Sequence, residues 1–335
     1  IKIDNVEIST PKGINLLIDV FNQKIGKESA QCCVIKDAGD DIDATNNMEI
    51  YSKVEIINTE DIPTVCAVKI HDYLEISSGI GIGIVTKKGL STEVGRPAIN
   101  PVPLKMIASE IEKIIDEYAI DIDEYLQNRK ILVTISAPMG EKIALDTFNS
   151  NLGIVGGISI IGTSGIVEPM SDEGWKKALS AELSIKAEEG LEEIILVPGN
   201  IGYDIMTKVY KKNEKNIVKM SNFIGYMLME SKRLAFKKII IAGHIGKLIK
   251  LSAGITNTHS RIADARKEIM IANLALLGAS QSVLKEIDAC LTTDAMITII
   301  KENNMEEVFK VISQKASDRA WNYMREGKED IKVEV

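Results

Sequence analysis

Hydrophobic positions change their spacing along this chain, and the change divides it. Over residues 1–80, short runs rich in Ile and Val read as strands: Ile14 to Val20, Gln31 to Lys36, Glu49 to Ile57 and Thr64 to Ile76. Turn residues separate them at Pro11-Lys12-Gly13, Ala38-Gly39-Asp40-Asp41, Asn46-Asn47 and Asp61-Ile62-Pro63. A glycine ladder, Gly79-Ile80-Gly81-Ile82-Gly83, and the prolines Pro97, Pro101 and Pro103 come next. Leu104, Ile107, Ala108, Ile111, Ile114, Ile115 and Tyr118 then recur at helical spacing, with Pro103 suited to the first turn. Ile131 to Ser136 is a further strand. Residues 1–150 therefore read as a β-rich α+β domain.

From residue 151 the pattern becomes strand, loop, helix, repeated. Gly157 to Ile161, Glu193 to Val197, Asn216 to Met220 and Lys238 to Ala242 read as strands. Helices are expected over Asp172 to Glu189, after Asn200 and from about Asn222. Ser171 suits the first N-cap and Gly190 stops that helix. Ile262 to Leu277, a short segment after Thr293 and Val308 to Met324 make a helical end. Such alternation predicts a mainly parallel sheet with helices on its faces. The expected fold is thus two domains, the second a Rossmann-like α/β domain over 151–335 with C-terminal helices.

Composition narrows the function. Of 335 residues, 45% are hydrophobic and 26% charged, which is globular. A net charge of −8 speaks against a general nucleic-acid binder. The charge is uneven: residues 1–150 carry 15 Lys and Arg against 24 Asp and Glu, while 151–335 carry 25 against 24. An anionic ligand is easier to hold on the second part. Leu152 to Val167 is broken by five glycines, too interrupted for a membrane span. With no signal peptide, a cytoplasmic place is expected. Cys32, Cys33, Cys66 and Cys290 lack zinc spacing and read as thiols of a reducing compartment, so no metal site is expected.

Ligands of a parallel sheet bind outside the carboxyl ends of its strands. The four loops there are Gly162-Thr163-Ser164-Gly165, Pro198-Gly199-Asn200, Ser221-Asn222 and Gly243-His244-Ile245-Gly246-Lys247. Small residues admit a ligand to the backbone, and helix starts offer free N–H groups. Turns and N-caps use the same residues. The chain has no G-x-G-x-x-G after a strand, no P-loop and no G-x-S-x-G. His71 reads as structural or exposed; His244 and His259 sit where a ligand or a cap would. Lys36 to Asp41 gathers Asp37, Asp40 and Asp41, an acid/base or metal site or simply a β-turn.

Several long segments resemble one family, that of the cobalt-precorrin-5B (C-1)-methyltransferases, CbiD. They are VIKDAGDD (Val34 to Asp41), GIGIGIVTKKGL (Gly79 to Leu90), VGRPAINPVP (Val94 to Pro103), LGIVGGISIIGTSGIVEPMS (Leu152 to Ser171), VPGN (Val197 to Asn200), SNFIGYML (Ser221 to Leu228) and AGHIGKLIKLSAGITNTHSRIADAR (Ala242 to Arg266). Ile80 stands where the family usually has an acid, Lys88 where it often has Pro, and Met139 where it often has Asn. Family members open with a Thr/Gly segment and an Ala-rich helix, expected upstream of Ile1.

The resemblance implies methylation of the macrocycle at ring carbon C-1 by S-adenosylmethionine, giving cobalt-precorrin-6A in anaerobic cobalamin biosynthesis. Cobalt then arrives with the tetrapyrrole substrate. A non-catalytic tetrapyrrole carrier of the same pathway is the alternative, and a nicotinamide-dependent reductase on the same sheet is disfavoured by the missing fingerprint. Under the first reading, the donor is expected against Gly162 to Gly165, Pro198 to Asn200 and Ser221-Asn222. The macrocycle is expected between the domains, against Lys87, Arg96 and Asn100 on one side and His244, Lys247, His259 and Arg261 on the other. His244 or His259 is the expected base, with Asp40 and its neighbours Asp37 and Asp41 next.

Overall fold

The computed structural model describes residues 2–40, 43–62, 66–162, 165–166, 172–324 and 331–335. The protein is mixed α/β, and its chain divides into two compact units, Ile1–Gly174 and Trp175–Val335.

In the first unit, β1 (Asn5–Ser9) and β2 (Asn15–Asp19) form an antiparallel hairpin. Strands β3 (Phe21–Ile25), β4 (Ser29–Ile35), β5 (Glu49–Asn58), β6 (Ala67–His71) and β7 (Leu74–Ser78) follow. The run expected over Thr64 to Ile76 is thus split by a turn at Asp72-Tyr73, and Thr64 lies outside the described residues. Strands β8 (Gly81–Ile82) and β9 (Ile84–Val85), helices α1 (Pro101–Glu117) and α2 (Ile122–Leu126), then β10 (Arg129–Ser136) come next. Helix α3 (Gly140–Ile143), β11 (Ile154–Val155) and β12 (Gly157–Ile158) complete the unit. Its main sheet has the order β3-β4-β5-β10-β7-β6. Leu74, Ile76, Val133 and Ile135 point from it onto Leu104 and Ala108 of α1, burying the helical stripe read from the sequence.

The glycine ladder is a backbone crossing. Gly81 has φ +77°, and a Cβ there would lie 1.7 Å from the Ala137 carbonyl oxygen. A Cβ on Gly140 or Gly157 would come within 2.1 or 2.2 Å of the Gly81 oxygen. This close approach lets β12 pair in parallel with β8, and Ile160 bridges Ile99 beside it. The strand expected to open the C-terminal sheet therefore belongs to the first unit, and the division falls after Gly174, not near 150. A contact made by missing side chains leaves no hydrophobic period to read.

The second unit carries the alternation. Helix α4 (Asp172–Glu188) spans the division, with Ser171, its expected cap, outside the described residues. Next come β13 (Glu193–Val197), α5 (Asn200–Asp204), β14 (Ile217–Lys219), α6 (Ile224–Arg233), β15 (Lys238–Ile241) and α7 (Ile245–Ser252). Helices α8 (Arg266–Leu276), α9 (Gln281–Ala289), α10 (Thr293–Glu302) and α11 (Glu307–Met324) precede β16 (Lys332–Glu334). The sheet β14-β13-β15-β16 is parallel throughout. Alternate residues of β13 face opposite ways. Ile194 and Leu196 join a core with α4, α6 and α11, while Ile195 and Val197 meet Met206 beyond α5. Helices α8 to α10 bury a separate cluster around Met270, Ile287 and Ile300. With the division at 174, the charge asymmetry sharpens. Residues 1–174 carry 15 Lys and Arg against 27 Asp and Glu, net −12; residues 175–335 carry 25 against 21, net +4. Among the described residues no helix is long and apolar enough to cross a membrane.

Candidate functional site

Connectivity selects one crevice in the second unit. The chain leaves β13 toward β14 on one side, then crosses back to β15 on the other. Adjacent β13 and β15 thus send their following segments in opposite directions, the topological switch point where open α/β sheets take ligands. A cleft of about 460 Å³ lies there. Its walls are Pro198 to Gly202 after β13, Gly243, His244, Gly246 and Lys247 after β15, Arg266 at the start of α8, and Thr292 to Asp294 at the start of α10. That volume is in the range of about 300–1,000 Å³ usual for small-ligand pockets.

Four glycines line the cleft, for different reasons. A Cβ on Gly202 would meet the Ala242 oxygen at 2.5 Å, and one on Gly243 the Pro198 ring at 2.8 Å. A Cβ on Gly246 would press on His244 and Thr293 at 3.0 Å. Packing explains these three. Gly199 is extended (φ 173°), a conformation any residue adopts, and a Cβ there meets nothing within 4 Å. Its place at the N-cap of α5 suits glycine without requiring it, and neither strain nor a close neighbour does; a side chain there would take space from the cleft.

His244 is the N-cap of α7, its Nδ1 accepting the Gly246 N–H at 3.1 Å. Since that backbone group only donates, the ring proton sits on Nε2 and is donated to Asp294 Oδ1, 3.0 Å away. Both ring nitrogens are occupied, and the bond ties the end of β15 to α10. His259 repeats half of this: its Nδ1 accepts the Arg261 N–H at 3.1 Å, leaving an exposed Nε2–H. In this conformation both histidines present donors rather than a free lone pair. Lys247 is half-buried in the cleft wall without a carboxylate partner among the described residues, and burial, then Lys250, pushes its ammonium pKa down. Arg266 pairs with Asp264 at 2.5 and 2.7 Å, which raises the guanidinium pKa and lowers that of the carboxyl.

Ser221 and Asn222 sit at the end of β14, Ser221 in the left-handed region at φ +53°. Asn222 accepts the Thr258 N–H on its carbonyl oxygen and the Thr258 hydroxyl on Oδ1, at 3.1 and 3.2 Å. This brings the loop with His259 and Arg261 to the carboxyl end of the sheet. Pro198 to Asn200 and His244 to Lys247, expected to serve different ligands, share one cleft.

The remaining expected residues lie in the first unit. Gly162 (φ +48°) abuts Pro103, and Gly165 (φ +72°) abuts Thr10, so fold geometry accounts for both. Thr163 and Ser164 between them lie outside the described residues. The Lys87 stem packs over Gly153. Arg96 donates to the Ala67 carbonyl at 2.5 Å. Asn100 is the N-cap position of α1 and accepts the Ser91 hydroxyl at 3.4 Å. Asp40 is exposed, and Asp37 accepts the Gly39 N–H at 2.8 Å, the geometry of an Asx-turn. Asp41 lies outside the described residues. Nearby Asp43 is desolvated, yet hydrogen bonds from Lys36 and Thr45 hold its carboxyl below the usual range. Among the described residues no group of three or more His, Cys, Asp or Glu is placed to hold a metal ion.

Sequence reasoning missed Arg266, Thr293 and Asp294 as cleft residues. Thr292-Thr293-Asp294 is a visible helix-start signal, and Thr292 does cap α10. What no local signal carries is that α8 to α10 fold that start back onto β15.

Comparison with known proteins bears on both units. The CbiD family model matches residues 1–169, and that of the CbiD C-terminal domain matches 257–335. A cobalt-precorrin-5B C(1)-methyltransferase of Clostridioides difficile (strain 630) is 49% identical over 350 residues, covering 100% of this chain and 85% of that protein. One from Listeria welshimeri is 46% identical over 334 residues, covering 100% and 84%. A crystal structure of cobalamin biosynthesis protein (cbiD) from Archaeoglobus fulgidus matches 80% of this chain and 76% of its own at 24% identity, with a TM-score of 0.36. On the strength of the sequence matches, this chain belongs to the CbiD family.

Proposed function

We propose that the protein transfers a methyl group from S-adenosylmethionine to ring carbon C-1 of cobalt-precorrin-5B, giving cobalt-precorrin-6A in anaerobic cobalamin biosynthesis in the cytoplasm. Identity of 49% to a methyltransferase of that name, along the whole chain, supports the reaction. The observation that carries the site is Gly199, a glycine in the cleft wall with neither a strained backbone nor a close neighbour to require it. We read the second unit as a Rossmann-like domain with the methyl donor in its switch-point cleft, against Pro198 to Gly202 and Gly243 to Gly246.

Methyl transfer from a sulfonium is an in-line displacement, so catalysis is chiefly positioning, with reacting atoms brought to about 3–3.5 Å. The backbone at Gly199 gives the donor close approach, and Asp294 provides a carboxylate compatible with a cationic ligand. The polycarboxylate macrocycle sits at the cleft mouth, where the Lys247 ammonium, the Arg261 guanidinium and the His259 Nε2–H donate to its carboxylates. Gly162 to Gly165, with Lys87, Arg96, Asn100 and Asp40, stay proposed contacts on the first unit. Cobalt is part of the substrate.

Titration calorimetry with S-adenosylhomocysteine, followed by single-turnover methylation of cobalt-precorrin-5B, tests this reading. Donor-product binding and methyl transfer are expected; macrocycle binding without donor binding would make the protein a carrier. Lys247→Ala should weaken macrocycle binding by about 1–3 kcal/mol, as for a lost charged hydrogen bond, and leave donor binding unchanged.

A further inference from the structure

Lys250, one turn beyond Lys247 on α7, is only 4% exposed. Its ammonium donates to the main-chain carbonyls of Thr258 at 3.2 Å and Ala263 at 2.7 Å. Among the described residues no carboxylate is paired with it. The Asp264 carboxylate lies near enough to feel its charge but does not pair with it. Burying a charge chiefly against carbonyl dipoles is costly, and an apolar residue would pack there more cheaply. The two carbonyls show what the charge does. They bracket His259 to Ile262, the tip of a segment without regular structure between α7 and α8. Thr258 is buried and tied to Asn222, whereas His259, Ser260, Arg261 and Ile262 are exposed. One ammonium therefore grips both ends of the tip.

We propose that Lys250 is a positioning residue, a buried clamp that presets His259 and Arg261 for the carboxylates of the macrocycle. Three N–H donors on a flexible stem suit this task, since they satisfy two carbonyls with no fixed angle between them. Closing the tip in the free protein removes an ordering cost that binding would otherwise carry. The inference rests on the proposed function for the identity of the ligand, but the clamp itself does not.

Hydrogen exchange separates the two. In the wild-type protein the amides of Arg261, Ile262 and Ala263 are hydrogen-bonded to His259 and should be protected. Exchange at unprotected rates would overturn the clamp without any variant. Lys250→Met keeps the stem and removes the donors, and should speed exchange at these amides by about 10- to 100-fold. The KM for cobalt-precorrin-5B should rise by a similar factor, with kcat and the Kd for S-adenosylhomocysteine within about threefold of wild type. Should Lys250→Met fail to fold, Lys250→Gln, whose arm is too short to hold both carbonyls at once, is read the same way. Leu251→Ala, in the neighbouring core, should lower Tm without moving either quantity. A Lys250 variant that loses Tm but keeps wild-type tip protection and KM overturns the proposal, as does lost protection with KM unchanged. Absence of donor binding in the wild type would instead sink the methyltransferase reading, while the exchange data still judge the clamp.

Discussion

Gly81 and Gly199 both follow shortly after a strand, β7 and β13, yet they are glycine for opposite reasons. Around Gly81 the protein fills all the space: three backbone segments meet, and the residue is held at φ +77°. Around Gly199 the protein fills none of it, and the backbone is ordinary. The first glycine is dictated by the fold from within; the second, at the N-cap of α5, leaves room in the cleft wall that no neighbour fills. Glycine content alone marks neither case, whereas the environment of the absent Cβ separates them.

Substitution should expose the contrast. Gly81→Ala drives a methyl into the Ala137 carbonyl and asks an L-residue to hold a left-handed backbone. It should cost more than about 4 kcal/mol, in the class of severe core lesions, and yield little folded protein. A soluble variant with a wild-type urea midpoint would mean the crossing relaxes easily, and the comparison would lose one side. Gly199→Val should do the reverse. Its unfolding free energy, read from the urea midpoint, should stay within about 1 kcal/mol of wild type, the scale of a poor N-cap on a short helix. Affinity for S-adenosylhomocysteine should fall by about 100-fold, the scale of overpacking a fitted site by about 1–3 kcal/mol. Unchanged affinity would place the donor elsewhere, and a collapsed midpoint would make Gly199 a fold glycine after all.

The same distinction explains what was legible in the sequence. Strands β13 and β15 were readable as short continuous apolar runs, α4 from its acidic first turn and its stop at Gly190, and α11 from an apolar stripe at helical spacing. Strand β16 was not. Lys-Val-Glu has a single apolar residue, and its pairing with β15 comes from a tertiary contact across the chain end. Strand β12 was seen as a strand but assigned to the wrong sheet, because Gly157 announces its partner by lacking a side chain. That Pro198 to Asn200 and His244 to Lys247 border a cleft was legible because loops after parallel strands gather at one edge of the sheet. Arg266 and Asp294 were not, since only the packing of α8 to α10 carries them there. The roles of the histidines needed the fold too: a ring nitrogen that accepts a backbone N–H is occupied and leaves the ring proton to the other nitrogen.

Lys247 gives the finest test, because it lines the cleft as a charge and not as a space. Burial depresses its ammonium pKa below the usual 10.5, with Lys250 acting in the same direction. Below the depressed value, folded and unfolded chains both carry the proton and the folded chain bears the full cost of the half-buried charge. Between that value and 10.5 the unfolded chain binds more protons, so this residue's contribution to stability rises with pH. Above 10.5 the proton is gone from both states and the cost has vanished. Lys247→Met removes the titration. The variant should therefore be more stable than wild type near neutral pH, with an advantage that shrinks as pH rises through the window. The effect should be small, because a half-exposed ammonium is screened by solvent. Urea midpoints of both proteins, measured at intervals from about pH 7 to about pH 10, read the difference directly. A gap that stays constant over that range would mean Lys247 is fully solvated, with no unpaired charge held ready in the cleft wall. A gap that closes with pH would show that the cleft keeps a cation at a cost to its own stability. That is the counterpart in charge of the space kept open at Gly199.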